Sequence, residues 1–166
     1  SGSDRILGMM KRGYTRAAFV NKIARVRAAR PGLSLSSDFI VGFPGETEED
    51  FAQTLSLIDE IGFDCAYSFT YSPRPGTPAA NLRDNVTREL KEQRLHALQA
   101  RVRGFDDAFR HSFVGSTQTV LVERPSRRGS GQMAGRISAN RVVNFDGPDE
   151  LVGQFVDVLI TEAMPN

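Results

Sequence analysis

Two short segments of this 166-residue chain combine glycine, proline and polar residues as a ligand-holding turn requires: GFPGET at residues 42–47 and YSPRPGTPA at residues 71–79. Glycine lets a ligand approach the backbone closely, and a turn opening into a helix presents free amides to an anion. A Gly-Pro-Gly turn that only reverses the chain has the same composition, so these residues alone leave both readings open. A third segment is electrostatic. Arg124, Arg127, Arg128, Arg136 and Arg141 fall between residues 124 and 145 with no Asp or Glu among them, and Asn144 lies beside them. Guanidinium groups clustered with Ser, Gly, Gln and Asn suit a phosphate backbone, because the planar fork binds phosphate bidentately and stacks on bases. A solvated loop with no ligand would carry the same charges.

Other chemistry has little support. Cys65 is the one cysteine, which excludes an internal disulfide and any metal site or iron–sulfur cluster built from several cysteines of this chain. No catalytic residue and no metal ligand is identified, and no general acid–base pair stands out. Glu48, Glu49 and Asp50 read as charges favoured at a helix start. Cys65 reads as a small buried apolar residue, and His96 and His111 as surface residues without a metal-spaced partner. Apolar residues make up 40% and charged residues 25%, which is ordinary for a globular protein of one domain or two small ones. No run approaches the ~18–20 apolar residues of a membrane helix, and the first residues do not resemble a signal peptide, so no membrane partner is expected and the cytoplasm is the default location. The 18 arginines against 3 lysines follow from codon bias as readily as from RNA binding.

The elements that must position these segments can be read from period and caps. Ser3 and Asp4 cap a short helix to Met10; Thr15 caps a second over residues 16–30, stopped by Pro31-Gly32. Residues 33–43 form a strand whose apolar end suits a sheet interior. Thr47 and Asp50 fit a capping box for a helix that ends at Gly62. Residues 63–71 form another strand, residues 72–85 are irregular, and Thr87 opens a long helix to about Ser112, striped by Leu90, Leu95, Leu98, Val102, Phe105 and Phe109. Strand, helix, strand, helix in order implies a parallel sheet with its ligand at the strand C-termini. After Gly115 the pattern changes to short strands at 117–123, 132–137, 141–145 and 154–161, which suits a small OB-like barrel. The domains expected are therefore residues 1–112 and 113–166.

Several spaced motifs, in order, resemble the radical-SAM tRNA methylthiotransferases: SGSDRIL…MKRGYTR, SSDFIVGFPGETEEDF, FDCAYSFTYSPRPGTPA and NRVVNFDGP…LVGQFVDVLITEAMPN. The resemblance covers essentially the whole chain. It implies an α/β fold: the C-terminal portion of a radical-SAM partial (β/α) barrel, followed by the small all-β RNA-binding TRAM domain. It further implies that the parent installs a methylthio group on isopentenyladenosine beside the tRNA anticodon, using S-adenosylmethionine (SAM) and two 4Fe-4S clusters. The family's cluster cysteines are missing here, so the chain reads as an inactive C-terminal fragment that binds no cofactor alone. Its partners would be the tRNA anticodon stem-loop and the missing N-terminal domains. By the same resemblance Ser1 and Ser3 would touch the ribose or amino-acid end of SAM, and Arg16 would pair with its carboxylate, although a solvated first-turn arginine fits equally well. Ile40, Gly42, Pro44, Gly45 and Glu46 match the adenine-packing motif loosely, since its glutamate falls one position late. Tyr67 lies on the strand whose backbone would meet the adenine edge, and the aromatic residues of that strand read as core. A stand-alone RNA-binding module, or a sister enzyme acting on threonylcarbamoyladenosine or a ribosomal protein, remain the alternatives.

Overall fold

The computed structural model describes residues 1–164. It divides into two compact units, Ser1–Asp106 and residues 107–166. The division falls inside a long helix, six residues before the 112/113 boundary read from sequence. The last turn of that helix belongs with the second unit, where Phe109 meets Phe113 edge to face at 5.0 Å and the Arg141 guanidinium lies over the Phe109 ring at 5.4 Å.

The first unit follows its local signals. Helix α1 (Asp4–Met9) is capped by Ser3, and α2 (Arg16–Ala29) by Thr15, whose Oγ1 accepts from the Ala18 amide. Each cap satisfies an amide that the helix itself leaves without a partner. Strand β1 (Ser36–Val41) runs into α3 (Glu48–Ile61) through the 42–47 turn. Thr47 and Asp50 form the reciprocal capping box, and Gly62 ends α3 at φ +62°, a left-handed conformation natural to glycine. Strand β2 (Cys65–Thr70) returns parallel to β1, with Ser36 opposite Cys65 and Val41 opposite Thr70. Helix α4 (Arg88–His111) then adds Leu98 and Val102 to a core of Phe39, Val41, Phe51, Leu57, Ile58, Ile61 and Phe63.

Strand β1 was expected inside a sheet. Instead β1 and β2 pair only with each other among the described residues. The helices cover one face, where Phe39 and Val41 are buried. On the other face the register sets Asp38 beside Tyr67 and Ile40 beside Phe69. Tyr67 is 61% exposed and Phe69 52%, so these two aromatic side chains are not core, as they read from sequence. Cys65 is likewise half-buried rather than buried.

The second unit is a curled antiparallel sheet of β3 (Thr117–Pro125), β4 (Gln132–Arg136), β5 (Val142–Asp146) and β6 (Phe155–Leu159), in the order β5-β4-β3-β6. All four strands fall where the sequence puts them. They curl into a half-barrel, consistent with the small OB-like barrel expected from sequence, with β5 and β6 each keeping one unpaired edge among the described residues. Alternation divides β3, β5 and β6, whereas Met133, Ala134 and Gly135 of β4 are buried in succession. Val120, Val122, Met133 and Ile160 are buried on the inner face, while Leu121, Phe155 and Leu159 are exposed on the outer one. Gly135 is the tightest point: a Cβ there would lie 2.3 Å from the Leu121 carbonyl oxygen and 2.5 Å from Val120 Cγ1.

Candidate functional site

In the first unit the turn after β1 is built around a buried ion pair. Gly42 sits at φ +69° and Gly45 at φ +80°, so the turn needs glycine at both places. These angles bring the Glu46 carboxylate back under the turn, where Oε2 accepts from the Gly42 amide at 2.7 Å. Arg94 reaches in from α4. Its Nη1 donates to Glu46 Oε2 at 2.9 Å and to the Glu46 carbonyl at 3.1 Å, and its Nη2 donates to Glu48 at 3.2 Å. The guanidinium also lies over the Phe51 ring, 5.4 Å from its centroid. Burial pushes the Glu46 carboxyl up, against the Gly42 and Arg94 hydrogen bonds that draw it down. Its second oxygen, Oε1, has no partner, nor does Arg94 Nε.

A second hub fixes the first residues of the chain. Asp50, in the first turn of α3, accepts from Ser3 Oγ at 2.6 Å, the Thr47 amide at 2.8 Å, Thr47 Oγ1 at 2.7 Å and the Arg5 guanidinium. The Gly2 amide donates to Thr54 Oγ1 at 2.9 Å. Burial alone would raise the Asp50 carboxyl, but the hydrogen bonds from Arg5, Ser3 and Thr47 outweigh it and hold the group well below the usual carboxylate range. Its folded pKa thus lies below the unfolded value of about 4, so its contribution is complete above about pH 5 and fades as pH falls. Asp50→Asn should therefore lower the melting midpoint of the chain at neutral pH and flatten its dependence below about pH 5, as followed by circular dichroism.

The sequence-derived ligand residues are placed as follows. Ile40 and Tyr67 share the open sheet face, next to the 42–46 turn. Pro44 and Gly45 border a cleft of about 450 Å³ with Met9, Leu82, Arg83 and Asn85. Ser1 and Arg16 line a different cavity of about 40 Å³ with Ser37 and Asp38, which is room for about one water molecule. Arg16 is not a solvated helix-start residue. It donates to the Gln53 carbonyl at 2.7 Å, Ser56 at 3.0 Å and Glu60 at 2.7 Å, clipping α2 to α3. Ser3 is 1% exposed, with its hydroxyl between Asp50 and the Ile6 amide. Asp50, read as a capping-box and helix-start charge, is buried. Thr54 and Arg94 were absent from the sequence reading. Their roles have no local mark, because the partners that tie Asp50, Thr54 and Arg94 across the unit lie 45 to 53 residues away.

In the second unit the five arginines do not form one uniform patch. Glu123, just outside the acid-free stretch, pairs with Arg136 at 3.3 Å and Arg124 at 3.7 Å. Arg141 lies over Phe109, and Arg128 Nη1 approaches the Met164 sulfur at 3.1 Å. Arg127 is exposed in the β3–β4 loop, and Asn144 on β5 accepts from Ser126 Oγ at 2.8 Å.

Residues 111–166 match the TRAM domain model. Along its full 166 residues the chain is 56% identical to the tRNA-2-methylthio-N(6)-dimethylallyladenosine synthase of Bordetella petrii and 55% to that of Legionella pneumophila strain Corby. Over the same span it is 57% identical to the protein of that name from Methylococcus capsulatus. Along its whole length the chain is similar to a part of these tRNA methylthiotransferases. It spans 35–37% of the length of these three relatives, about a third. The TRAM match begins at the last residue of α4 and takes in β3 to β6. No helix is long and apolar enough to cross a membrane among the described residues.

Proposed function

We propose that this chain is the SAM-facing and tRNA-gripping part of a tRNA-2-methylthio-N(6)-dimethylallyladenosine synthase that works in the cytoplasm. The single observation that carries this reading is identity of 55–57% along the entire chain to enzymes of that name. In that parent, SAM and two 4Fe-4S clusters supply the one-electron chemistry that installs the methylthio group. The clusters do not fit this chain: three thiolates are needed for each, and Cys65 is the one cysteine. By itself, then, the chain performs no methylthiolation, and other domains of the parent bring the iron.

SAM fits better. The face made by Ile40, Tyr67 and Phe69, with Asp38 beside Tyr67, is open and next to the turn that ends β1, and it offers a purine both contact area and strand-end backbone. In this reading Ile40 packs on the adenine and Tyr67 flanks it. The turn from Gly42 through Pro44 and Gly45 to Glu46 gives backbone access, held in shape by Arg94. Ser1, Ser3 and Arg16 are held by α3, where Ser3 Oγ donates to Asp50 and Arg16 to the Gln53 carbonyl, with Ser1 Oγ 3.5 Å from Thr54 Oγ1. The parallel β1–β2 pair, uncovered on this face, matches one piece of a partial barrel that the rest of the parent completes.

The TRAM unit then grips the tRNA anticodon stem-loop through Arg124, Arg127, Arg128, Arg136, Arg141 and Asn144. Arg127→Ala with Arg128→Ala should weaken tRNA binding severalfold at low salt and reduce the salt slope of log affinity by about 2, one for each lost phosphate contact. Filter binding across a salt series measures both. Unchanged affinity and slope would remove the β3–β4 loop from the interface. Activity of the full-length parent on defined tRNA, with and without the isopentenyl group, tests the substrate.

A further inference from the structure

We infer that the outer face of the β5-β4-β3-β6 sheet is a stacking platform for an unpaired nucleotide, with Phe155 as its aromatic surface. The inference rests on the RNA-binding reading above and specifies the form of RNA involved. The strand registers put Val142, Arg136, Leu121 and Phe155 in one row across all four strands. Phe155 is 71% exposed, with exposed Leu121 next to it on β3 and exposed Val142 at the far end of the row on β5. A large ring in that position covers no core and costs the unit an apolar surface in water. The next row on the same face holds Arg124, Ala134 and Asn144. Ala134 is 3% exposed between them, and Asn144 Oδ1 accepts from Ser126 Oγ at 2.8 Å.

An exposed aromatic ring with guanidinium groups on the next two strands, Arg124 on β3 and Arg136 on β4, is what a nucleobase with its phosphate requires. The charge also favours a polyanion. Glu123 is a single carboxylate set against both Arg124 and Arg136, and Arg127 and Arg128 follow in the adjoining loop with no acid between residues 124 and 145. A base-paired stem keeps its bases stacked inside and has no ring to offer Phe155, so the platform takes a splayed loop nucleotide.

The chain contains no tryptophan, so Phe155→Trp creates a single fluorophore at the platform. The probes are an unstructured oligouridylate of about ten nucleotides and a duplex RNA of about twice that length. We expect Phe155→Ala to weaken oligouridylate binding by about tenfold with an unchanged salt slope, and to leave duplex affinity within about twofold. Phe155→Trp should bind like the native chain, with its emission quenched by the oligonucleotide. Native-like binding of the oligouridylate by Phe155→Ala, or an unquenched tryptophan in the bound complex, would overturn the assignment. If Phe155→Ala instead converts a dimer to a monomer in sedimentation without changing RNA affinity, the face is a protein interface and the assignment is equally overturned. Failure of the native chain to bind either RNA would overturn the RNA-binding reading itself, a result distinct from the loss of stacking alone.

Discussion

Arg94→Met should destabilise the first unit by about 3–5 kcal/mol, because it leaves the Glu46 carboxylate buried without its cation. Arg94 is 3% exposed and Glu46 is also buried, so water cannot replace the lost guanidinium. Four interactions go together: the ion pair at 2.9 Å, the bond to the Glu46 carbonyl at 3.1 Å, the bond to Glu48 at 3.2 Å, and the contact with the Phe51 ring. Adding Glu46→Gln to Arg94→Met should recover part of the loss, since the remaining buried group is then neutral and still accepts from the Gly42 amide. The recovery separates two costs, that of an uncompensated charge and that of a missing pair. The pair is imperfect to begin with, because Glu46 Oε1 and Arg94 Nε have no partners. Urea unfolding of the native chain and the two variants measures it. A loss below about 1 kcal/mol for Arg94→Met would mean that the turn after β1 does not depend on α4.

Gly135→Ala should cost the second unit about 2–3 kcal/mol, a large effect for one methyl group. The nearest atoms to the new Cβ are the Leu121 carbonyl oxygen at 2.3 Å and Val120 Cγ1 at 2.5 Å. Trimming the valine removes only the second clash. Val120→Ala combined with Gly135→Ala should therefore be no more stable than Gly135→Ala alone, because the backbone of β3 still has to move. Thermal unfolding followed by the far-ultraviolet strand signal tests this. Rescue by the valine truncation would show that the strands are further apart than the register implies.

The caps and turns of this protein were legible in its sequence because their chemistry is local. Thr15 and Thr47 reach amides three residues away, and Gly62 stands where the third helix must stop. The four strands of the TRAM unit were legible for a similar reason, since alternation repeats every two residues. What was not legible depends on contacts across the chain. Asp50 looked like one of three acidic helix-start residues, and only the fold sets Ser3 and Arg5 against it while leaving Glu49 in solvent. Tyr67 and Phe69 alternate with small and polar residues, and apolar side chains on one face of a strand do not reveal whether anything covers that face. Phe155 was overlooked for the same reason. In QFVDVLIT the residues that reach the core, Val156, Val158 and Ile160, are apolar, and so are Phe155 and Leu159 between them.

β6 joins β3 across a long stretch of chain, with Thr117 opposite Leu159, whereas β3, β4 and β5 meet their neighbours through short hairpins. During synthesis the first three strands can zip as soon as they leave the ribosome, while Leu121 waits for Phe155 until the final strand emerges. A sheet of β3, β4 and β5 alone therefore carries its arginines without its aromatic ring, and the outer-face row is complete only once β6 has joined β3.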